Sequence, residues 1–236
     1  MTVADDPRLG QPVPRLDHIE VWVFDLDNTL YSPRHNLFAQ IDRRMGEFVS
    51  DLLGASLEAA RRVQKSLFRK HGSTLRGLME EHGIAPDDFL DYVHDVDLEV
   101  LPPDAELDAA LAKLEGRKLI FTSASLRHAE RVTARLGVDH HFEDVYDIAA
   151  ADYLPKPHRP TYERFLRRHQ VDPGRAVMFD DIARNLEPAA ALGMTTVWIP
   201  GRTEWAREGS DGDHIDYVAA DLAPWLAALV DGEERG

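Results

Sequence analysis

The sequence contains no cysteine among its 236 residues, which excludes disulfide bonds and thiolate metal sites and fits a reducing compartment. Positive charge is also scarce. Only 27 lysine and arginine residues stand against 42 aspartate and glutamate residues, so the formal net charge is −15. A field of that sign repels nucleic-acid backbones and anionic lipid. We therefore expect neither nucleic acid nor a membrane as a partner.

Long apolar runs are missing as well. No segment approaches the roughly 18 uncharged apolar residues that a membrane-spanning helix needs. The first ten residues, MTVADDPRLG, contain acidic residues and a proline where a signal peptide would have a basic start and an apolar stretch. These features, together with the absence of cysteine, predict a cytoplasmic protein.

The apolar residues that are present make up 44% of the chain, enough for one globular domain with a smaller insertion. Short runs rich in β-branched and aromatic residues predict strands buried on both faces of a parallel sheet. Amphipathic helical patterns separate most of these runs. The alternation predicts a doubly wound, mainly parallel Rossmann-like α/β sheet of five or six strands. The runs are 19–24, 117–121, 145–148, 175–179 and 195–199.

One long segment breaks the alternation, because every pattern between the first and second predicted strands is helical. Apolar stripes predict a helix that ends at Gly54 and a second that Ser56 caps. Shorter helices are expected over 74–82 and 87–95. So many helical residues are too many for a crossover between strands, which predicts an inserted all-helical cap domain.

These patterns divide the chain into four parts. We expect the helical cap over residues 33–103, inserted into a discontinuous α/β core formed by 18–32 and 104–230. Three prolines predict an irregular leader over 1–17. An acidic tail, 231–236, is expected to be frayed.

Two aspartates, Asp25 and Asp27, directly follow the first predicted strand. The carboxyl ends of parallel strands form the ligand crevice of an open sheet, which favours a catalytic role; turn formation and helix capping are the ordinary alternative. Asp180 and Asp181 end another strand. If the two strands are neighbours, these carboxylates repel one another unless a cation is bound. Oxygen ligands without a thiolate favour Mg²⁺.

Two further strands end in groups that suit an anion. Thr122 and Ser123 precede a predicted helix, where hydroxyl and backbone N–H groups could bind a phosphate. Lys156 stands between two prolines after the third predicted strand. A lysine is usually solvated at the surface, but rigid flanking residues would direct its charge into the crevice.

Taken in order, these segments resemble the four motifs of the haloacid dehalogenase (HAD) superfamily, and the helical insertion resembles its cap. The resemblance covers residues 18 to about 200. Within the superfamily the chain is most similar to the pyrimidine 5′-nucleotidase branch, with Ser123-Ala124 where Asn-Gly is expected. The segments that carry this resemblance are VFDLDNTLYSP, FTSASLRHAERV, KPHRPTYERF and FDDIARNLEPAAALGMTTVWI.

The resemblance implies a Mg²⁺-dependent phosphomonoester hydrolase that works through an aspartyl phosphate. Asp25 would be the nucleophile, and Asp27 would protonate the leaving alkoxide and then activate water. The Asp25 carboxylate, the Asp27 backbone carbonyl and Asp181 would hold Mg²⁺. Thr122, Ser123 and Lys156 would bind the phosphoryl group.

Three assignments remain outside that set. Asp180 is expected to lie behind the metal ligands and orient them. Asn185 either orients the metal site or caps the helix that follows it. Tyr31 is a candidate substrate contact, because it directly follows the first motif. The scattered histidines show no HExxH spacing, so we expect no metal ligand among them.

The expected partner is a small phosphorylated metabolite, specifically a pyrimidine nucleoside 5′-monophosphate. The alternatives are phosphatases of other small metabolites, such as a sugar phosphate or a phosphoglycolate-like compound, and a phosphomutase. A haloacid dehalogenase would also use a nucleophilic aspartate, but an acid-rich metal site would be an uncompensated electrostatic cost for it. A non-catalytic binding protein is disfavoured because every candidate catalytic residue is present.

Overall fold

The computed structural model describes residues 8, 9, 11, 13, 15–201 and 203–233. The rest of the expected leader and residues 234–236 of the expected tail lie outside the described residues. Leu16, from the expected leader, is buried in the core. The last helix continues through Glu233, so residues 231–233 are helical.

Among the described residues, six parallel strands form a sheet with the order β3-β2-β1-β4-β5-β6, which confirms the predicted fold. In chain order they are β1 (Val21–Phe24), β2 (Arg117–Phe121), β3 (Asp144–Tyr146), β4 (Ala176–Asp180), β5 (Thr195–Trp198) and β6 (Tyr217–Val218). The register pairs Phe24 with Ile120 on one side and with Phe179 on the other. The residues that follow β1 and β4 therefore lie side by side.

Strand β3 differs from the prediction: it begins one residue earlier, at Asp144, and ends at Tyr146 instead of continuing to 148. The Asp147 side chain explains the early end. Its carboxylate accepts the backbone N–H groups of Ala150 at 2.8 Å and Leu126 at 3.0 Å. These bonds stabilise a turn, so the backbone leaves the sheet there.

Nine α-helices and six short 3₁₀ helices lie among the described residues. The α-helices are α1 (Leu37–Leu53), α2 (Leu57–His71), α3 (Thr74–His82), α4 (Pro86–Val93), α5 (Ala105–Lys113), α6 (Leu126–Leu136), α7 (Arg159–His169), α8 (Leu186–Leu192) and α9 (Leu222–Glu233). The 3₁₀ helices are Pro33–His35, Leu98–Val100, Asp139–His141, Pro173–Arg175, Ala183–Asn185 and Trp205–Arg207.

Both faces of the sheet are covered, as the continuous apolar strands predicted. Val21 and Val23 of β1 point to one face, where residues of α7 and α8 pack on them. Trp22 and Phe24 point to the other face, where they join residues of α5, α6 and α9. The rings of Phe24 and Phe179 stack there with centroids 4.8 Å apart.

Helices α1 to α4, which we call the cap helices, follow β1 without an intervening strand in this fully described part of the chain. Gly54 ends α1 in the left-handed conformation, and the Ser56 hydroxyl caps α2, as predicted. Helix α4 ends at Val93, two residues earlier than expected. Cap boundaries at residues 33 and 103 stay a prediction.

The cap helices and the sheet share one hydrophobic cluster, which runs from Phe24 through Leu37 and Ile41 to Leu78. Helix α6 also holds the segment that leads from α4 back to the core. Arg131 donates to the carbonyls of His94 and Val96, and Arg135 donates to the carbonyl of Leu98. None of the described helices combines the length and the apolar character needed to cross a bilayer.

Candidate active site

Asp25 lies at the carboxyl end of β1 and is held from several directions. Its backbone N–H donates to the carbonyl of Phe179 at 2.9 Å, which continues the pairing of β1 with β4. Its Oδ1 accepts from Lys156 at 2.8 Å, and its Oδ2 accepts from the Thr29 hydroxyl at 3.1 Å. The residue is only 7% exposed. The sheet and these bonds therefore fix the carboxylate at the crevice.

Lys156 is buried, so the ordinary expectation of a solvated lysine is wrong here. Its Nζ donates to Oδ1 of Asp25 at 2.8 Å, to Oδ2 of Asp180 at 2.6 Å and to the carbonyl of Phe121 at 2.9 Å. Burial alone would lower the pKa of Lys156, but the two carboxylates outweigh it and raise the pKa. The ammonium form is therefore the stable one.

Asp25, Asp180 and Asp181 form a buried acidic cluster in which one oxygen of each lies within 4.8 Å of the others. Burial raises the pKa of Asp25 to about 7. The positive charge of Lys156 acts to lower this pKa, and the negative charge of Asp180 acts to raise it. Burial and the charges of Asp25 and Asp180 raise the pKa of Asp181 well above its usual range. The cluster has three carboxylates and only one ammonium nearby, so it lacks positive charge. A divalent cation bound there would supply that charge.

The Asp180 carboxylate is already occupied by protein donors. Besides Lys156, it accepts the backbone N–H of Ile182 at 2.9 Å and the side-chain amide of Asn185 at 3.0 Å. Asp25 and Asp181 are therefore the carboxylates of the cluster that are better able to bind a cation.

Asn185 occupies the N-cap position of α8, yet its side chain makes no capping hydrogen bond. The amide donates to Asp180 instead. The capping alternative is therefore wrong, and the contact with the acidic cluster is the one that the structure has.

The side chain of Asp27 does not join that cluster. Its Oδ1 accepts from the Tyr31 hydroxyl at 2.6 Å and lies 3.0 Å from Nε2 of His128. Burial acts to raise the pKa of Asp27, but the charge and hydrogen bond of His128, aided by Tyr31, outweigh it and lower the pKa. Asn28, the next residue, adopts the left-handed conformation with φ of 63°, which asparagine tolerates.

Tyr31 is buried beside Asp27. The side chain is 3% exposed and is not among the residues that line the cavity around Asp25. Burial and the charge of Asp27 raise the pKa of its phenol well above the usual value, so the hydroxyl remains a donor. In the structure the Tyr31 hydroxyl is directed to Asp27, and a contact with substrate stays a prediction.

His128 is a site residue that the sequence analysis missed. It lies fully buried in the first turn of α6, and its Nδ1 has no hydrogen-bond partner in the described structure. His94, which follows α4, stacks on it with ring centroids 4.3 Å apart. A search for metal spacings could not find His128. The available signal was its place in the first turn of the helix that follows Thr122 in the chain. His128 stands three residues after Ser125, which caps that helix.

A second group of possible metal ligands includes two of the histidines that we expected not to bind metal. Side-chain atoms of Asp108, His140 and His141 lie within 4.8 Å of one another. In the structure, His141 Nε2 contacts Asp108 Oδ1 at 2.7 Å, which links a 3₁₀ helix to α5. An ordinary hydrogen bond accounts for this contact.

Thr122 and Ser123 lie at the end of β2, on the wall of the same cavity as Asp25 and Lys156. Thr122 is buried, and its hydroxyl accepts the backbone N–H of Ala124 at 3.0 Å. Ser123 is exposed. The two residues and Lys156 therefore line one cavity, and their role in binding phosphate stays a prediction.

The cavity has a volume of about 160 Å³ and two contrasting walls. The sheet side carries the charged and hydroxyl groups described above. The cap side is mostly apolar and includes Phe38, Ile41, Met45, Phe89 and Leu90. The arrangement suits a ligand with an anionic end on the sheet and an uncharged end beneath the cap helices.

Comparisons with known proteins agree with this architecture. Phosphate metabolism protein 8 of Saccharomyces cerevisiae is 27% identical over 209 residues, which cover 81% of this chain and 64% of that protein. The chain thus matches less than two thirds of the length of this relative.

Solved structures share the fold. CbbY from Rhodobacter sphaeroides in complex with phosphate has a TM-score of 0.61 and 21% identity, and the match covers 89% of this chain and 99% of that one. L-2-haloacid dehalogenase from Xanthobacter autotrophicus with chloropropionic acid covalently bound has a TM-score of 0.55 and 17% identity, covering 91% and 99%.

A family model described as haloacid dehalogenase-like hydrolase matches residues 19–193, which include β1 to β4, the first three motif segments and the fourth as far as Gly193. The match covers well over half of the chain. The chain therefore belongs to the haloacid dehalogenase-like hydrolase family.

Proposed function

We propose that this chain is a Mg²⁺-dependent phosphatase that hydrolyses phosphomonoesters through an aspartyl phosphate and prefers pyrimidine nucleoside 5′-monophosphates. One observation carries the proposal. The buried Lys156 ammonium bridges Asp25 and Asp180 on the same cavity wall as Thr122 and Ser123. A nucleophilic carboxylate, a fixed positive charge and hydroxyl donors are the groups that phosphoryl transfer requires.

Each residue then has a chemical task. The Asp25 carboxylate attacks phosphorus, and the bond between phosphorus and the ester oxygen breaks as Asp27 protonates that oxygen. Water next attacks the aspartyl phosphate, and Asp27 takes its proton, so that inorganic phosphate leaves and Asp25 is regenerated. Thr122, Ser123 and Lys156 bind the phosphoryl oxygens throughout.

Asp27 must act in both protonation states. The charge of His128 stabilises its carboxylate form, which is the base that the hydrolytic step needs. A phosphate dianion bound nearby opposes that effect and favours the acid form that the first step needs.

The acidic cluster fits Mg²⁺ because its carboxylates outnumber the Lys156 charge in a buried site. We assign Asp25, Asp181 and the backbone carbonyl of Asp27 as the protein ligands, with Asp180 and Asn185 behind them. When bound, the ion supplies positive charge that screens the repulsion between the nucleophile and the phosphate.

The apolar wall beneath the cap helices supports an uncharged leaving group such as a nucleoside. The similarity of the motif segments to pyrimidine 5′-nucleotidases supports the choice of base. The name of the yeast relative and the phosphate in the Rhodobacter structure support phosphoryl chemistry in general. A dehalogenase is disfavoured because the carbon–halogen bond that it breaks is neutral. Such a substrate brings no phosphate charge for a cation at the acidic cluster to stabilise, so the cluster would be an uncompensated electrostatic cost.

The test is phosphate release from a substrate panel at fixed Mg²⁺: UMP, CMP, AMP, GMP and ribose 5-phosphate. We expect the two pyrimidine nucleotides to have the highest kcat/KM and EDTA to abolish release. Asp25→Asn is the matched inactive control. A higher kcat/KM for purine nucleotides or ribose 5-phosphate would contradict the substrate assignment, and chloride release from 2-chloropropionate in EDTA would contradict the phosphatase.

A further inference from the structure

A second cavity of about 280 Å³ adjoins the one around Asp25. The two cavities share five lining residues: Met45, Phe68, Thr74, Arg184 and Trp205. Phe68 and Thr74 belong to the cap helices, whereas Arg184 and Trp205 belong to the core. The part of a substrate that extends away from the phosphate can therefore meet groups from both sides at this junction.

Thr74 is a largely buried residue whose hydroxyl the protein itself does not use. The residue is 5% exposed, and its hydroxyl has no hydrogen-bond partner in the described part of the structure. Helix α3 does not need it as a cap, because the Ser73 hydroxyl already accepts the N–H of Arg76 at 3.0 Å. The residue lines both cavities, so its hydroxyl is available to a polar ligand group there.

Arg184 supplies a second donor. Its Nε is buried without a hydrogen-bond partner, and its ion pair with the exposed Glu208 is long, at 3.7 Å. The guanidinium carbon lies 5.4 Å from the centroid of the Phe68 ring. The aromatic ring therefore positions the cation beside the junction and leaves N–H groups for a ligand.

The junction also has flat apolar surfaces. The rings of Phe68 and Trp205 meet nearly edge to face, with centroids 5.3 Å apart. One ring comes from the cap helices and the other from a 3₁₀ helix of the core. Aromatic faces of this kind bind planar rings well.

We propose that Phe68, Thr74, Arg184 and Trp205 form the binding site for the leaving group and select a planar ring that carries a carbonyl oxygen. The guanidinium and the hydroxyl would donate to the carbonyl, while the aromatic rings contact the plane. Uracil and cytosine carry such a carbonyl on a single ring, adenine has none, and guanine carries one on a two-ring base that needs more room. This inference rests on the proposed nucleotidase function and names the residues that give it its specificity.

The test measures ligand binding, so that it does not depend on turnover. Calorimetry on Asp25→Asn protein with Mg²⁺ compares UMP, AMP, ribose 5-phosphate and inorganic phosphate. We expect UMP to bind more tightly than AMP and ribose 5-phosphate. Adding Thr74→Val, which keeps the shape and removes the hydroxyl, should weaken UMP binding about tenfold, as expected for one lost hydrogen bond.

The same substitution should change the Kd of ribose 5-phosphate and inorganic phosphate by less than about twofold. Thr74→Ser restores the hydroxyl and should restore UMP binding. Arg184→Met should weaken UMP binding selectively, whereas Lys65→Met, which removes a charge from another wall of the second cavity, should not.

Equal losses for UMP and ribose 5-phosphate, no effect of Thr74→Val and Arg184→Met, or UMP binding no tighter than ribose 5-phosphate would each overturn the site. Phosphate release by the wild-type protein is measured separately. If the wild-type protein released no phosphate, the proposed phosphatase activity would be contradicted. The calorimetric binding measurements would still test the leaving-group site.

Discussion

His128 Nε2 lies 3.0 Å from Oδ1 of Asp27, although the two residues are 101 positions apart in the chain. Tyr31 donates to the same oxygen, so two buried groups hold one edge of the carboxylate. The other oxygen, Oδ2, has no hydrogen-bond partner in the described structure. The proposed acid and base is thus oriented by its neighbours before a substrate arrives.

Removing the His128 contact should reduce catalysis more than substrate binding. We expect His128→Phe to lower kcat about tenfold to a hundredfold with little change in KM, because only the orientation of Asp27 is lost. His128→Gln, which retains a donor, should recover most of the rate. An unchanged kcat in folded His128→Phe protein would contradict the positioning role.

The nucleophile has the largest expected effect. Asp25→Asn keeps the shape of the side chain and removes its nucleophilic charge, so we expect kcat to fall by about 10³-fold or more. Circular dichroism should show an unchanged fold. Comparable phosphate release by the pure, folded variant would exclude Asp25 as the nucleophile.

The two other acidic residues should be separable by metal titration. Asp181→Asn removes a proposed metal ligand and should raise the Mg²⁺ concentration needed for half-maximal activity by about tenfold or more. Asp27→Asn keeps its backbone carbonyl and should lower kcat at saturating Mg²⁺ without changing that concentration. Identical Mg²⁺ dependence in both variants is the result that would refute the assignment.

Lys156 should be important for stability as well as activity. Lys156→Met leaves Asp25 and Asp180 buried without their counter-charge, and breaking such a pair costs about 3–5 kcal/mol in the free energy of unfolding. Urea unfolding in EDTA measures the loss. Lys65→Met, an exposed lysine, is the matched control and should have little effect. Equal stability of the two variants would contradict the buried ion pair.

His94 should make the fold sensitive to acid. Burial lowers its pKa to about 3, against an ordinary value of 6.5. Below pH 6.5 the unfolded chain binds a proton that the folded chain excludes, so stability falls as the pH decreases. From pH 7 to pH 5 this costs about 2 kcal/mol. His94→Gln should lose less stability over that interval in urea unfolding; an equal loss would argue against the effect.

The sequence predicted those elements whose residues carry the information locally. The run over 19–24 is apolar at nearly every position because both faces of β1 are buried, and Gly54 and Ser56 mark helix ends by their own chemistry. Strand β6 has only two residues, Tyr217 and Val218, too few to form a pattern. Its existence depends on pairing with β5.

The site residues also divide into those that the local sequence indicates and those that it does not. Asp25 and Lys156 were found because each follows a recognisable strand. Asn185 fitted two interpretations, and only its distance to Asp180 distinguishes them. His128 offered only its place after Ser125 as a signal, and Thr74 offered none, since their importance comes from groups that another part of the chain places beside them.

The hydrogen bonds of Lys156 have a consequence for product release. An ammonium has three N–H donors, and the protein already accepts all three. A phosphate that binds Lys156 must displace one of these acceptors. The affinity for phosphate therefore gains only the difference between the new hydrogen bond and the one that it replaces. The proposed enzyme can therefore keep a full positive charge at its centre and still let inorganic phosphate go, which limits inhibition by its own product.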